Sequence, residues 1–458
     1  MTAFDAGSLI VGIVIGTTIF KAPGFIAGNT SSAAQLFGLW ALGGLLAFVG
    51  ALCYAELGAT YGGAGGDYYY QSRAFGPWAG FLYGWTQFAV VQTVNIAMFA
   101  TVFAEFAWKL LRPAGPVSPL ELNLLAAGTV GVLTVVNLIG LQSGKITQNI
   151  LSAAKLGGIA LLLIAGIMSD SSHVATAEIK TSGNWTVALI VILYAYGGWN
   201  DAAYVVTEVR DRQRNVPRAL LWGVGIVMAV YLAVNGAYVH VLGFAGLQLA
   251  DNAPVALLTG WLGPIGGKVM SAIVMVSALG AVNGLILSVS RLHAAVGSDH
   301  RLFSLLSRWS SRHDAPVGSL IVQAIFTSLL LLLVGTPTGR QLLDGIFQRV
   351  TGDPLPWGNY QTEFDLLFAV GAPVFWLFFL MTGIAFFVLR IREPDMPRPF
   401  RIPLYPIPVI LFCGMCVFGI WASVNYAGAF TWLGVFPVLV GSVVYLVERA
   451  LPSRGSTP

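Results

Sequence analysis

The sequence predicts an all-α polytopic membrane protein with about twelve spanning helices, and composition and apolar run length both predict it. Of the 458 residues, 56% are hydrophobic and only 10% charged, against about 25% charged in a typical soluble domain. Mean hydropathy is +0.77, so polar side chains are too few to cover a water-facing surface. The apolar residues fall in stretches close to the roughly 20 that a helix needs to cross a bilayer. Continuous runs, rather than short alternating segments, argue against an outer-membrane barrel. The composition also excludes a disordered, collagen-like or disulfide-framework chain.

In order, the predicted spans run over 4–28, 34–60, 78–109, 119–140, 146–168, 184–208, 217–243, 264–297, 316–335, 362–390, 404–424 and 429–449. They group as a first five-helix half, 1–168, a second half, 184–391, and two peripheral helices, 404–449. The first apolar stretch has no basic leader and no small-residue cleavage site, so it reads as a retained span. The connections 298–315 and 336–361 are polar or broken by Pro and Gly and read as loops with room for a short surface helix. Residues 452–458 read as a frayed tail.

Net charge is +4, from 24 Lys+Arg against 20 Asp+Glu, which implies no nucleic-acid partner. Placement of the positive charges is more informative. One set of loops carries Arg73, Lys145, Arg210, Arg212, Arg214, Arg218, Arg301, Arg308, Arg312, Arg392, Arg398, Arg401 and Arg454. The opposite set carries only Lys109, Arg112, Lys180, Lys268, Arg340 and Arg349. The positive-inside rule then predicts a multi-pass protein of the cell (inner) membrane with both termini cytoplasmic. Trp78, Trp108, Trp185, Trp261 and Trp432 fall near span ends, as an interfacial aromatic belt requires. Cys53, Cys413 and Cys416 lie inside apolar stretches and read as packing residues. The five histidines (His173, His240, His293, His300 and His313) are scattered without metal-ligand spacing. No metal or cofactor is expected.

Two spans break their own rule. Gly16-Thr17-Thr18 in span 1 and Tyr196-Gly197-Gly198-Trp199-Asn200 in span 6 put glycine and small polar residues at mid-membrane depth, where a helix must otherwise satisfy its own backbone. They occupy corresponding places in two halves with an odd number of spans each, hence of opposite orientation. Paired interruptions of this kind point to a transporter site between inverted repeats. Amides near Thr17, Thr18 and Ile19 then suit a carboxylate. Carbonyls at Val14 and over Tyr194, Ala195 and Gly197 suit an ammonium group. Together they make a receptor for a zwitterion without charged side chains. The alternative is that the glycines only permit close helix packing.

Lys155 lies about nine residues into span 5, or about 13 Å beyond its cytoplasmic end at 1.5 Å per residue. An intramembrane charge is a functional candidate by default. The functional reading is that its ammonium stands where a sodium-coupled relative holds a cation, bonding carbonyls of span 1 and a hydroxyl of span 8, with Ser277 the nearest. The alternative is a structural tie between helices. Lys21 reads as solvated in the outer vestibule and Glu105 as facing the outer rim of span 3. Glu56 and Glu208 read as partners of cytoplasmic arginines, in surface pairs that contribute little. Tyr194, just before the second break, suits a gate over a bound amino acid, with core filler as the alternative. No acidic residue is recognised at mid-depth in the pocket, which disfavours cationic substrates.

At these residues the chain resembles the amino acid-polyamine-organocation superfamily, most of all its L-amino-acid transporter branch, the prokaryotic relatives of heteromeric-transporter light chains. Gly16-Thr17-Thr18-Ile19-Phe20 is similar to that family's Gly-Ser-Gly-Ile-Phe, and Tyr194-Ala195-Tyr196-Gly197-Gly198-Trp199-Asn200 to its Phe-Ala-Tyr-Gly-Gly-Trp-Asn. Ala154-Lys155-Leu156, Val282-Asn283-Gly284 and Arg214-Asn215-Val216-Pro217-Arg218-Ala219 extend the likeness.

The resemblance implies a LeuT-type fold of ten core helices in a 5+5 inverted repeat with discontinuous helices 1 and 6, plus two peripheral helices. It implies sodium-independent movement of neutral L-amino acids, often by obligatory exchange. It assigns carboxylate binding to Thr17 and Thr18, ammonium binding to Val14, Tyr194 and Gly197, and the cation-replacing role to Lys155. Thr18 replaces a glycine and narrows the pocket toward smaller side chains. Tyr194 replaces a gating Phe. There is no Cys between spans 3 and 4, so no disulfide-linked heavy chain is expected; the partners are amino acids and the bilayer. Proton-coupled symport stays open beside exchange. A membrane enzyme lacks a catalytic cluster here, and a channel lacks a filter.

Overall fold

The computed structural model describes residues 14–63, 65–112, 115–169, 183–201, 209–250, 252–360 and 362–450. Among them the chain is helical throughout, without a β-strand. Glu208, Lys180, His173, Arg454 and the tail lie outside the described residues.

The helices are α1 (Thr18–Lys21), α2 (Pro23–Gly28), α3 (Ala33–Thr60), α4 (Asp67–Phe75), α5 (Pro77–Thr86), α6 (Gln92–Leu111), α7 (Pro119–Ile139), α8 (Leu141–Met168) and α9 (Trp185–Ala195). They continue with α10 (Arg212–Leu249), α11 (Ala253–Leu262), α12 (Pro264–Asp299), α13 (Val317–Gly335), α14 (Pro337–Thr351), α15 (Glu363–Arg392), α16 (Ile407–Ala427) and α17 (Thr431–Ala450). Local chemistry sets several starts. Ser32 caps α3 by accepting from the Gln35 amide. At α7, Ser118 and Glu121 cap each other's backbone amides reciprocally and Pro119 fills the first helical position, where a missing N–H leaves nothing unsatisfied.

Span 3 is not one regular helix. A π-helical turn over Gln87–Val91 joins α5 to α6, a local widening common at functional sites. The span expected at 217–243 runs longer, as α10, with a non-helical residue at Gly243 (φ 69°). The connection expected as a loop at 336–361 contains α14, a helix of 15 residues.

Packing places α3 along α10, α12 between α6 and α8, and α15 on α16. In a membrane the driving force is close backbone approach rather than apolar burial; a Cβ at Gly43 of α3 would sit 2.5 Å from Ile192 Cγ2 of α9. Apolar side chains on the outer faces stay open to lipid, such as Ile167 at 83% exposure.

One end of the bundle is closed by charge. The Arg390 guanidinium donates to both carboxylate oxygens of Glu56 at 2.8 and 2.6 Å. The Ile402 amide donates to Glu56 at 2.7 Å, and Arg398 stands 3.5 Å away. Glu56 is 2% exposed, so this is a buried, bidentate pair rather than the weak surface pair expected from sequence. Beside it Arg73 pairs with Glu393 at 2.8 Å.

Candidate substrate-binding site

The first break follows Val14. Ile15, Gly16 and Thr17 leave the helix before α1 begins at Thr18. The Gly16 amide turns back onto the Val14 carbonyl at 2.6 Å. Among the described residues nothing accepts from the amides of Thr17, Thr18 or Ile19. The helix after the break is itself interrupted: α1 is a single turn, and a bend at Ala22 separates it from α2. Individual amides, not the dipole of a long half-helix, are therefore what this end offers an anion.

The second break follows Ala195. The Gly197 amide donates to Tyr194 O at 2.9 Å, and Gly198 takes φ +96°, a conformation open to glycine and strained for residues with a Cβ. Trp199 to Asp201 then form a tight turn, with the Asp201 amide bonded to Gly198 O at 3.1 Å.

Both breaks border one cavity of about 50 Å³. Val14, Thr18, Tyr194, Ala195 and Gly197 line it. Thr17 and Ile19 are fully buried beside it without lining it. A single water needs on the order of 10–15 Å³ measured this way, so the space suits a small zwitterion. A second cavity, of about 520 Å³, opens toward the end that carries Asn29 and Lys109. Thr18 and Tyr194 line both cavities.

Tyr194 is held over the small cavity from three sides. Its hydroxyl donates to Asn95 Oδ1 of α6, and its ring meets Phe368 edge-on at 4.9 Å and Phe375 at 6.2 Å, both on α15. Tyr196 faces the other way. Its hydroxyl donates to Trp40 O at 3.1 Å, and its ring packs on Trp40 and Tyr231. Of the two tyrosines, Tyr196 is core and Tyr194 is part of the cavity wall.

Lys155 is 1% exposed on α8 and does not line the cavity. It points to α12: a Cβ at Gly280 would come within 3.7 Å of its Nζ. Ser277, one turn earlier on α12, is fully buried, and its hydroxyl has no hydrogen-bond partner. Lys21 is not simply solvated, since it forms an ion pair with Glu105, and both charges are largely covered (15% and 16% exposed).

Three features were missed from sequence. Tyr231 of α10 places its hydroxyl 2.8 Å from Val14 O and 3.0 Å from Ala195 O, bridging the two breaks. The carbonyls of Val14 and Ala195 are engaged by this hydroxyl and that of Tyr194 by the Gly197 amide, so these three are not free as expected. Second, the cavity does contain an acidic residue: Asp201, 4% exposed, is in its wall. Its position directly after Trp199-Asn200 was the available signal. Third, Asp67 is buried and accepts from the hydroxyls of Tyr54, Thr382 (2.6 Å) and Tyr83 (3.3 Å). The Gly62-Gly63 and Gly65-Gly66 pairs ahead of it gave only a turn signal.

A profile of the amino acid permease family matches residues 2–448. The chain is 32% identical over 455 residues to the large neutral amino acids transporter small subunit 2 of Homo sapiens, covering 97% of this chain and 79% of that protein. It is 30% identical over 419 residues to the b(0,+)-type amino acid transporter 1 of Mus musculus, covering 88% and 78%. With likeness over nearly its whole length, the chain belongs to the amino acid permease family, whose members are membrane carriers of amino acids and not enzymes.

Proposed function

We propose that this permease carries neutral L-amino acids by alternating access, independently of sodium, and exchanges one amino acid for another. The observation behind the reading is the cavity of about 50 Å³ bounded by both helix breaks. In this reading the two breaks belong to inverted repeats, 1–168 and 184–391, with 404–449 outside them. The amides of Thr17, Thr18 and Ile19 take the substrate carboxylate. Tyr194 closes the site on the outer side in this reading, supported by its place in the walls of both the small cavity and the larger one.

Lys155 supplies a fixed positive charge between α8 and α12, beside Gly280 and one turn from the Ser277 hydroxyl, where a cation-coupled carrier would bind its ion. A resident ammonium removes the need for sodium. Thr18 limits the side chain, so small to medium substrates fit best. The cysteines are buried or half-buried, in keeping with a carrier that works without a disulfide-linked heavy chain. The cell membrane, with both termini in the cytoplasm, is its place.

Counterflow in proteoliposomes with an ionophore present tests the reading. An exchanger takes up labelled amino acid rapidly only into vesicles preloaded with amino acid. Equal accumulation in empty vesicles, rising with an inward proton gradient, would establish proton symport instead.

A further inference from the structure

The ammonium pole of a zwitterion needs acceptors, and three backbone oxygens at the two breaks, those of Val14, Tyr194 and Ala195, already take part in hydrogen bonds within the protein. Val14 O accepts the Gly16 amide at 2.6 Å and meets the Tyr231 hydroxyl at 2.8 Å. Tyr194 O accepts the Gly197 amide at 2.9 Å, and Ala195 O lies 3.0 Å from the same Tyr231 hydroxyl.

Side chains of the cavity wall have acceptor capacity left over. Asn200, 4% exposed, lines the cavity, and its Oδ1 has no hydrogen-bond partner. Its Nδ2 donates to Asp201 Oδ1 at 3.2 Å, which turns the carboxylate and the amide oxygen into neighbours. Gln92 of α6 donates to the same carboxylate. Among the described residues Asp201 has no ion-pair partner. A buried carboxylate held only by amides is costly, and a cation beside it offsets that cost. Asp67, another buried carboxylate, differs, because hydroxyls of Tyr54, Thr382 and Tyr83 already occupy its oxygens.

We propose that the Asp201 carboxylate, with Asn200 Oδ1 beside it, binds the ammonium group of the transported amino acid, in place of the backbone carbonyls of the two breaks. The proposal rests on an amino acid being the cargo. Asp201 then determines specificity for the ammonium pole, while Thr18, in the wall of the same cavity, serves the carboxylate pole. An ammonium group brings three donors, which matches a carboxylate plus one amide oxygen.

The test measures binding to the detergent-purified full chain, using L-alanine and L-leucine and the 2-hydroxy acid matching each, L-lactate and L-2-hydroxyisocaproate, as displacing ligands. The hydroxy acid keeps the carboxylate and side chain and replaces only the ammonium. The parent protein should favour the amino acid by about 100-fold, the scale of a hydrogen-bonded charge pair. In Asp201→Asn the preference should fall below about 10-fold through loss of amino acid affinity, with hydroxy acid affinity kept. Asp201→Glu should retain the preference with weaker affinity, and it covers the case in which Asp201→Asn does not fold.

Several results would overturn the proposal: an unchanged preference in Asp201→Asn, equal loss of both ligands in that variant while it remains folded, or a preference abolished in Asp201→Glu. So would amino acid binding that requires sodium and is insensitive to Asp201. Failure of the parent to bind either amino acid would instead remove the cargo reading itself.

Discussion

The hydroxyl of Tyr231 lies 2.8 Å from the carbonyl oxygen of Val14, just ahead of the non-helical residues Ile15 to Thr17. The same hydroxyl lies 3.0 Å from Ala195 O, where α9 stops. One side chain of α10 therefore ties the backbone at Val14 to the end of α9. Backbone groups released at a break inside a membrane must find partners in the protein, and here Tyr231 is one of them.

Tyr231→Phe should keep the ring contacts with Trp40 and Tyr196 and lose only the hydroxyl. The expected cost is about 1 kcal/mol of stability, the net worth of one hydrogen bond, with a larger loss of exchange rate because the geometry of both breaks loosens. Thermal unfolding and initial uptake rates on the same preparation check this. A rate equal to the parent's would show that the bridge has no part in transport.

Lys155→Ala should reduce transport more than Lys21→Ala. Lys155 is buried between α8 and α12, whereas Lys21, in the wall of the larger cavity, is paired with Glu105. Uptake measured at matched protein amounts separates the two, with about a tenfold loss expected for Lys155→Ala and little change for Lys21→Ala; partly exposed ion pairs are worth only about 1 kcal/mol or less. Equal rates would take Lys155 out of the mechanism.

Thr18→Gly should widen the substrate range toward larger side chains, because Thr18 lines both the small cavity and the larger one beside it. Competition by a series from glycine to tryptophan reads this directly. An unchanged inhibition profile would refute the idea that this side chain limits size.

Glu56→Gln should destabilise the closed end of the bundle. The carboxylate is bonded twice by Arg390 and once by the Ile402 amide, and removing one partner of a buried ion pair typically costs about 3–5 kcal/mol. A lowered unfolding temperature, together with faster labelling of a cysteine introduced at that end, is expected. Parent-like labelling would mean that the pair does not hold this end shut.

The long helices were legible because twenty-residue apolar runs have few other solutions in a bilayer. Residues 34–60, 119–140 and 316–335 became Ala33–Thr60, Pro119–Ile139 and Val317–Gly335. The second break was legible for an equally local reason: a glycine pair stands where the chain turns, and Gly198 takes a positive φ that residues with a Cβ rarely adopt. What stayed hidden depends on partners distant in sequence. Tyr231 looks like any aromatic in a long apolar helix until Val14 and Ala195 are placed beside it. Asp201, inside the span expected at 184–208, went unrecognised because only the turn after Gly198 brings it to the cavity. The π-turn at Gln87–Val91 shifts hydrogen bonding by one residue, and no residue type in that stretch signals it. Lys21 and Glu105 are 84 residues apart, so neither alone announced the pair.

The central claim is that two interrupted helices meet at the cavity holding the amino acid, and a cryo-electron microscopy map with bound amino acid tests it most directly. Density for the ligand is expected between Thr18 and Tyr194, with the chain non-helical at Gly16 and at Gly198. Continuous helices through both positions, or ligand bound only in the larger cavity beside Lys21 and Lys109, would contradict it.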